Sequence, residues 1–278
     1  MALGDRRRRE AVPRTTRPAP DPGRAIAPVP FDLPADALAG KVVVITGASR
    51  GLGAGLADRF AELGAALGLC ARTEPQPPAG SRAMCGALDV TDARMLEGFG
   101  GAVAKELGPV DLWVNNAGVL DPMGPNRTLA PAEVDRALLV NVGGVANGTR
   151  TFTRRARSWP PAFRVLANIS SGAASSSYEG WSIYGATKAA VDRFTEVVAL
   201  EEPDVLCLAV SPGVVETDMQ VAIRAADPET FPSVERFRAI HRDNAASSPT
   251  WVADHLAGIL IGALRPPSVV WRVPPEPR

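Results

Sequence analysis

The chain has 278 residues, and its 30 lysine and arginine residues balance its 30 aspartate and glutamate residues. A chain of this length can bury a sizeable core as one folded domain with a tail. The balanced charge provides no overall field for nucleic acid or an anionic membrane, so we expect a small neutral molecule as the partner.

Cysteine usage and hydropathy bear on the compartment. Cys70, Cys85 and Cys207 are scattered beside apolar runs, with no paired spacing that suggests a metal or a disulfide. We interpret them as buried, reduced thiols of a cytoplasmic protein. No apolar run approaches the roughly 20 residues that cross a bilayer, and no hydrophobic segment follows the N-terminal arginines. The sequence therefore predicts a soluble protein that stays in the cytoplasm.

The N-terminal segment combines an arginine run, Arg6 to Arg9, with frequent prolines and almost no apolar periodicity. Such a segment cannot bury enough apolar surface to offset its ordering entropy. A targeting role for the arginines is an alternative, but the prolines and acidic residues disfavour an amphipathic helix. We predict a disordered extension over residues 1–37 and one folded domain over residues 38–278.

From Lys41 onward, short apolar runs alternate with helical stretches, which is typical of βαβ units and a parallel sheet. The pattern predicts an α/β fold, with a doubly wound parallel sheet of about seven strands and helices on both faces. A stretch at about 212–249 has weak periodicity, and we expect it to be a mobile lid. The predicted strands are 42–46, 66–71, 83–89, 110–115, 163–170, 205–211 and 268–273, and the helices are 52–63, 92–107, 182–201 and 250–264, with another from 131.

A glycine-rich turn, Thr46-Gly47-Ala48-Ser49-Arg50-Gly51-Leu52-Gly53, joins the first predicted strand to the first helix. Glycines let the backbone approach a pyrophosphate, and the N-terminus of the helix attracts its negative charge. Tight packing of helix on strand is the alternative explanation. The position between a strand and a helix favours a dinucleotide site.

The spacing of these glycines resembles the short-chain dehydrogenase/reductase family, and later motifs extend the resemblance from about residue 41 to 217, and less specifically to 273. The resemblance implies a Rossmann fold and an oxidoreductase that uses a nicotinamide cofactor. The later motifs are Asn115-Asn116-Ala117-Gly118, Asn141, Ser171, Tyr184-Gly185-Ala186-Thr187-Lys188, and Pro212-Gly213 with Thr217.

Tyr184 and Lys188 are four residues apart on a predicted helix, so their side chains share one face. A free tyrosine has a pKa near 10, and acid/base work at neutral pH requires a value about 3 pH units lower. An ammonium at about 4 Å supplies that change at an effective dielectric of about 20. We therefore expect Lys188 to lower the pKa of Tyr184.

Ser171 and Tyr184 are expected to face one pocket at the C-terminal edge of the sheet. Ser170 is the rival for the serine role, but strand alternation turns it to the opposite side. The resemblance implies that Ser171 binds the substrate carbonyl, that Tyr184 donates a proton, and that Lys188 also holds the nicotinamide ribose. It also implies that Asn141 positions a water that relays protons to Lys188.

The resemblance also implies a set of contacts to the cofactor. Within it, Asp89 and Val90 would contact the adenine, although a turn before the helix cap Asp92 is the alternative. The implied contacts are Gly47, Ser49, Arg50, Gly51, Leu52, Gly53, Arg72, Asp89, Val90, Asn116, Ala117, Gly118, Tyr184, Lys188, Pro212, Gly213, Val215 and Thr217.

The choice between the two nicotinamide cofactors depends on charge at the end of the second strand. A carboxylate there would bind the ribose of NAD and repel a 2′-phosphate. The strand instead ends Cys70-Ala71-Arg72, and Arg50 lies in the glycine turn. These arginines predict NADP(H), with NAD(H) as the alternative because Glu74 is close.

Within the family, the sequence is similar to sepiapterin reductases and bacterial diketone reductases around Trp181, at Leu200-Glu201-Glu202-Pro203 and at Thr217-Asp218-Met219-Gln220. The aspartate with which sepiapterin reductases hold the pterin has no counterpart in 268–272. An apolar ketone or diketone therefore suits Trp181, Val215 and Met219 better than a pterin, and Ser171 and Tyr184 complete the predicted substrate contacts.

Two alternative functions remain open: an NAD-dependent alcohol dehydrogenase of the same family, and a nucleotide sensor without turnover. His241 and His255 have no partners at metal-ligand spacing, so we predict no metal and expect solvated histidines. The helices starting near 131 and 182 carry apolar residues over a wide arc, which predicts a homodimer or homotetramer. On the second helix these residues are Val191, Phe194, Val197, Val198 and Leu200.

Overall fold

The computed structural model describes residues 32–277. Within them, seven strands form one parallel sheet in the order β3-β2-β1-β4-β5-β6-β7. This order confirms the predicted doubly wound, Rossmann-type α/β fold. The strands are β1 (Val42–Thr46), β2 (Ala66–Ala71), β3 (Ala83–Ala87), β4 (Leu112–Asn115), β5 (Arg164–Ile169), β6 (Val205–Ser211) and β7 (Val270–Arg272).

Helices cover both faces of the sheet. One apolar cluster joins alternate strand residues to α1 and α8, and a second cluster joins the intervening residues to α2, α4 and α5. The sheet is therefore buried on both sides, as a parallel sheet must be. The helices are α1 (Gly51–Glu62), α2 (Ala93–Glu106), α3 (Pro131–Leu138), α4 (Gly144–Ala156), α5 (Ser182–Glu201), α6 (Asp218–Ala225), α7 (Val234–Arg242) and α8 (Pro249–Leu260).

The long helix predicted from Pro131 is interrupted. A π-helical segment, Leu139–Gly143, separates α3 from α4 and contains the buried Asn141. Such segments occur mostly at functional sites, and composition gives no signal for them. The predicted ends of several strands were also too long, because β3 ends at Ala87 and β4 begins at Leu112.

The weakly periodic stretch 212–249 contains two short helices that the sequence did not predict. Helix α6 buries Gln220 and Ile223, and α7 buries Val234 and Phe237. Two buried positions in a helix of 8 or 9 residues are too few to produce a recognisable period. The expectation that this stretch acts as a lid stays a prediction.

Residues 32–37 belong to the predicted extension, yet they contact the core. Leu33 and Ala37 pack against the cluster beside α1, and the Ala37 amide donates to the Pro34 carbonyl at 2.9 Å. Leu38, which follows them, is fully buried. The rest of the predicted extension, residues 1–31, lies outside the described residues.

No helix within residues 32–277 has the length and apolar character needed to cross a membrane.

Candidate active site

The glycine turn after β1 is tied to the segment that follows β4. The Thr46 hydroxyl accepts hydrogen bonds from the amides of Asn116 and Ala117, both at 3.1 Å. The Asn116 side-chain amide donates to the carbonyls of Thr46 and Gly47 at 3.0 and 3.1 Å. The turn is therefore held at the point where the strand order reverses, which is where open α/β sheets bind ligands.

Two glycines of the turn leave no space for a side chain. A Cβ on Gly47 would lie 2.7 Å from the Ala117 Cα, and a Cβ on Gly53 would collide with the Gly47 carbonyl. Helix α1 begins at Gly51, and no side chain of the described residues caps it. Its first amides are therefore available to an anion.

The start of α6 lies beside this turn. A Cβ on Gly51 would contact the Thr217 methyl group at 3.6 Å, and Arg50 pairs with Asp218 at 3.5 Å. Both charged side chains are at least 70% exposed, so the pair contributes little to stability. Ser49 and Arg50 lie exposed at the mouth of the turn.

Ser171 and Tyr184 are brought together, as the sequence predicts. Ser171 lies two residues after the end of β5, and its oxygen accepts a hydrogen bond from the Ala173 amide at 3.2 Å. Its hydroxyl also hydrogen-bonds the Tyr184 oxygen, which lowers the pKa of Tyr184. Burial acts in the opposite direction and is the larger effect, so the pKa of Tyr184 is raised overall.

Lys188 is buried one helical turn beyond Tyr184. Its Nζ donates to the Ile169 carbonyl at 2.8 Å and lies 5.8 Å from the centre of the Tyr184 ring. Burial lowers the pKa of Lys188 to about 8, and the Asp192 carboxylate opposes that shift.

The expectation that the pKa of Tyr184 lies below its usual value is therefore wrong for this structure. The ammonium is bonded to a backbone carbonyl, and burial disfavours the phenolate more than the surrounding groups stabilise it. Tyr184 keeps its proton through neutral pH, which suits a proton donor.

Asn141 connects the segment after β4 to α5. Its oxygen accepts from the Val119 amide at 2.8 Å, and its nitrogen donates to the Val119 carbonyl and the Thr187 hydroxyl at 2.8 and 3.2 Å. A Cβ on Gly118 would lie within 4 Å of both Asn141 Oδ1 and Lys188 Nζ. Asn141 therefore borders the same site, and its predicted role in holding a water stays a prediction.

An aromatic cluster adjoins Tyr184. The Trp181 ring stacks on Phe231 with centroids 4.5 Å apart and meets Tyr184 edge-on at 5.4 Å, while Tyr178 and Phe237 complete the cluster. Met219 packs against it. The sequence identified Trp181 and Met219 but missed both phenylalanines, because they lie in the stretch without clear periodicity.

Val215 occupies a different place from the one expected. It packs with the apolar cluster beside α1 and α8 and forms a β-bridge with Ser247, whereas Trp181 and Met219 belong to the aromatic cluster beside Tyr184. It therefore does not belong to the apolar surface expected to receive a ketone.

The remaining predicted cofactor residues lie at the carboxyl edge of the sheet. Arg72 follows β2 and is exposed, and Pro212 and Gly213 follow β6. Asp89 accepts a hydrogen bond from the Thr91 amide, and Val90 is buried beneath Asn147, which donates to its carbonyl at 3.0 Å. Asn147 was not identified from the sequence as a residue of this region, because its position in the sequence looks like that of any solvent-exposed polar residue on a helix.

The histidines differ from each other. His241 is exposed beside Glu216, as expected, but His255 is only 1% exposed and packs between Trp251 and Trp271. The expectation of a solvated His255 is wrong, because its position on α8 faces the core.

Among residues 32–277, no group of three or more histidine, cysteine or acidic side chains could hold a metal ion. The three cysteines are unpaired thiols, and burial raises the pKa of Cys70 and Cys207 to about 12.

Comparison with known proteins agrees with this geometry. The family described as short chain dehydrogenase matches residues 41–228. The chain is 32% identical to a benzil reductase ((S)-benzoin forming) of Bacillus cereus, over 79% of this chain and 94% of that protein. It is 34% identical to a sepiapterin reductase of Meriones unguiculatus, over 71% and 84% of the two chains.

A solved structure, that of the KRED1-Pglu enzyme, covers 81% of this chain and 96% of its own, with a TM-score of 0.73 and 30% identity. The fold, the family match and these relatives agree, and the predicted family resemblance is confirmed. The chain is therefore an oxidoreductase that belongs to the short chain dehydrogenase family.

Proposed function

We propose that this chain is an NADP(H)-dependent reductase that converts an apolar ketone or diketone to an alcohol, with Tyr184 as the proton donor. The buried Tyr184 hydroxyl carries the proposal, because its raised pKa keeps it protonated beside the Ser171 hydroxyl. An acid in that state can protonate a carbonyl oxygen at neutral pH. The Bacillus cereus relative is named for the formation of (S)-benzoin from benzil, which is a diketone.

The glycine turn fits a dinucleotide. Its open amides at the start of α1 would hold the pyrophosphate, and Thr217 would close the site from α6. Asn116, Ala117 and Gly118 would line the path from the turn toward Lys188. A nicotinamide dinucleotide bound there supplies the hydride.

Charge around the turn supports NADP(H). Arg50 and Arg72 are exposed, and within the described residues Arg72 makes no ion pair. A guanidinium recognises a phosphate through paired hydrogen bonds, so either arginine suits a ribose 2′-phosphate. Asp218 and Glu74 are the nearby carboxylates that oppose this preference.

In the proposed reaction, each residue of the site has a defined part in protonating the carbonyl oxygen. The Ser171 hydroxyl would bind the substrate carbonyl oxygen and orient it toward Tyr184. As the carbonyl carbon accepts the hydride, Tyr184 would donate its proton to the oxygen, so that the product is an alcohol and the phenolate remains. The Lys188 ammonium would stabilise that phenolate and contact the ribose. Asn141 would keep the segment after β4 in register with α5.

The aromatic cluster supports an aryl substrate. Trp181, Phe231 and Phe237 form one apolar wall directly beside Tyr184, and aromatic rings pack favourably against such a wall. Phe231 and Phe237 belong to the stretch 212–249, so closure of that stretch over the substrate follows from the same proposal.

A cytoplasmic homodimer or homotetramer also fits. Four apolar side chains are exposed: Leu138 at the end of α3 by 44%, Leu139 in the π-helical segment by 59%, and Val197 and Leu200 on α5 by 45% and 82%. Val191 and Val198 instead face the sheet, so α5 is apolar on two sides. An apolar outer side suits contact with a second subunit.

The test is reduction of aryl diketones and aldehydes by the purified full chain. We expect NADPH oxidation that depends on substrate, runs faster than with NADH, and is lost in Tyr184→Phe and Ser171→Ala. Nucleotide binding by these variants, followed by nicotinamide fluorescence, controls for folding. Equal rates for the wild type and Tyr184→Phe would contradict the proposal.

A further inference from the structure

A second polar cluster lies behind Lys188, on the side away from Tyr184. Asn168 on β5 donates to the Thr195 hydroxyl on α5 at 2.9 Å, which fixes the register of strand and helix. Ser170 lies two residues after Asn168, just past the end of β5, and Asp192 lies about one turn back along α5. Because α5 runs antiparallel to the strand, these two steps lead to the same place.

The Lys188 ammonium reaches this place as well. Its Nζ is bonded to the carbonyl of Ile169, the residue before Ser170, and Asp192 lies one turn further along α5. Ser170 is 3% exposed, and its hydroxyl stabilises the ionised Asp192 carboxyl. Three polar groups from two elements therefore converge at the end of β5.

This cluster is not satisfied by hydrogen bonds. Within the described residues, the buried atoms Asp192 Oδ1 and Ser170 Oγ have no partner at hydrogen-bonding geometry, so the contact between these two side chains is close but poorly aligned. Most buried polar groups in folded proteins are paired, so a set of unpaired ones beside a buried ammonium requires an explanation. A buried ammonium is costly, and a carboxylate one turn away reduces that cost.

We propose that Asp192 is a positioning residue for Lys188: its carboxylate, supported by Ser170, keeps the lysine ammonium charged and in place behind Tyr184. This inference rests on the proposed reductase function, in which the ammonium stabilises the phenolate that Tyr184 leaves. Asp192 does not touch substrate or cofactor in this role. It acts through Lys188.

The groups around Lys188 leave this task to Asp192. On α5 the neighbours are Tyr184, which is a neutral phenol, and Asp192. Ser170 lies beside it after β5, Asn141 borders it from the π-helical segment and Gly118 from the segment after β4, and all three are uncharged. Burial is the largest influence on Asp192 and raises its pKa overall; the Glu196 charge also raises the pKa, while Ser170 and Lys188 lower it.

The composition of the chain allows a direct measurement. It contains three lysines, Lys41, Lys105 and Lys188, so lysine labelled with ¹³C at Cε gives few signals in NMR spectra. Lys41→Arg and Lys105→Arg assign the two others without disturbing the site. For the wild type we expect the Lys188 signal to titrate near pH 8, from its pKa of about 8.

The decisive variant is Asp192→Asn. We expect the Lys188 titration to move down by about one pH unit, because loss of a nearby opposite charge disfavours the ammonium. Glu196→Gln is the matched control, since it makes the same change one turn further from Lys188, and it should leave the titration unchanged. Ser170→Ala should move it in the same direction by less, and it carries the test if Asp192→Asn does not fold.

Reductase activity adds a second reading. In Asp192→Asn, kcat should approach the wild-type value at pH 6 and fall about fivefold below it at pH 8, because the ammonium is lost at a lower pH. An equal loss at both pH values, or a Lys188 titration that does not move, would overturn the role of Asp192. The titration requires no turnover, so it tests the role of Asp192 even if no carbonyl substrate is reduced. Failure of the proposed function would appear only in the activity assay, so the two failures can be told apart.

Discussion

Two buried polar networks lie along the interface of β5 and α5, and they differ in how completely they are satisfied. In the deeper network, Trp113 donates to Asn115 at 2.8 Å, Asn115 to Asn168 at 2.8 Å, Asn168 to Thr195 at 2.9 Å, and Thr195 to the Val191 carbonyl at 2.7 Å. Near the carboxyl edge, buried atoms of Ser170 and Asp192 have no partner at hydrogen-bonding geometry, and they lie beside Lys188.

This difference indicates that the deeper network stabilises the fold, whereas the network around Lys188 serves the reaction. A fully paired network fixes the register of strand and helix, and its loss costs stability. The partly paired network holds a charge in a buried place, which costs stability and suits proton transfer. Variants in the two networks should therefore change different properties of the protein.

The largest expected effect is the loss of activity in Tyr184→Phe. Removal of the proton donor should lower kcat by about 1,000-fold, while the free energy of unfolding changes little because the ring still packs on Trp181. NADPH oxidation with an aryl diketone measures the first quantity, and denaturant unfolding measures the second. Activity above a tenth of the wild-type value would remove Tyr184 from the reaction.

The deeper network should respond in stability. Asn168→Ala removes one hydrogen-bond partner from each of Asn115 and Thr195 in the core, so we expect the free energy of unfolding to fall by about 3 kcal/mol. Urea unfolding followed by fluorescence measures it. Asn126→Ala, at an exposed position, is the matched control and should change stability by less than about 0.5 kcal/mol. A similar loss in both variants would mean that the network has no special role.

A variant of the site near the carboxyl edge should instead increase the free energy of unfolding. Lys188→Met removes an ammonium whose burial lowers its pKa from 10.5 to about 8, so we expect the variant to be more stable at pH 7 by about 1 to 2 kcal/mol. Lys105→Met, at an exposed position, is the control. A destabilised Lys188→Met would show that the bond to Ile169 outweighs the cost of burial.

The same group gives a sign for pH dependence. Because the folded pKa of Lys188 lies below the unfolded one, the unfolded chain binds more protons between about pH 8 and 10.5. The unfavourable contribution is complete below pH 8, so wild-type stability should gain from this group as pH rises through that window. Subtracting the Lys188→Met profile from the wild-type profile isolates the effect.

The smallest expected effect concerns the cofactor. Arg72→Asp places a carboxylate at the end of β2, and the preference for NADPH over NADH should fall by about tenfold, or about 1.4 kcal/mol. The ratio of kcat/KM for the two cofactors measures it. Arg265→Asp, exposed in the loop before β7, is the control for a general change of charge. An unchanged ratio would assign the 2′-phosphate to Arg50 or to neither arginine.

The sequence predicts the fold well where one physical signal dominates. Helix α5 and strands β1, β2 and β6 have the predicted bounds, because a long apolar period or a continuous buried run defines each of them. The glycine turn was also predicted, since sterics allow few other residues at Gly47 and Gly53. Ser171 and Tyr184 meet because the ends of parallel strands share one edge.

The rest depends on three-dimensional surroundings. The π-helical segment around Asn141 and the short helices α6 and α7 leave no period in the sequence, so Phe231 and Phe237 could not be placed beside Trp181. The spacing of Tyr184 and Lys188 gives their common face but not the burial of either group. For that reason the sequence predicted a lowered pKa for Tyr184, whereas burial in the structure raises it.

The pH dependence of kcat for carbonyl reduction tests this account most directly. If Tyr184 donates its proton and the Lys188 ammonium stabilises the phenolate, kcat should be level at neutral pH and fall as pH rises through about 8. A kcat that instead rises with pH through neutrality would mean that the reaction needs the phenolate, and it would contradict a protonated, buried Tyr184.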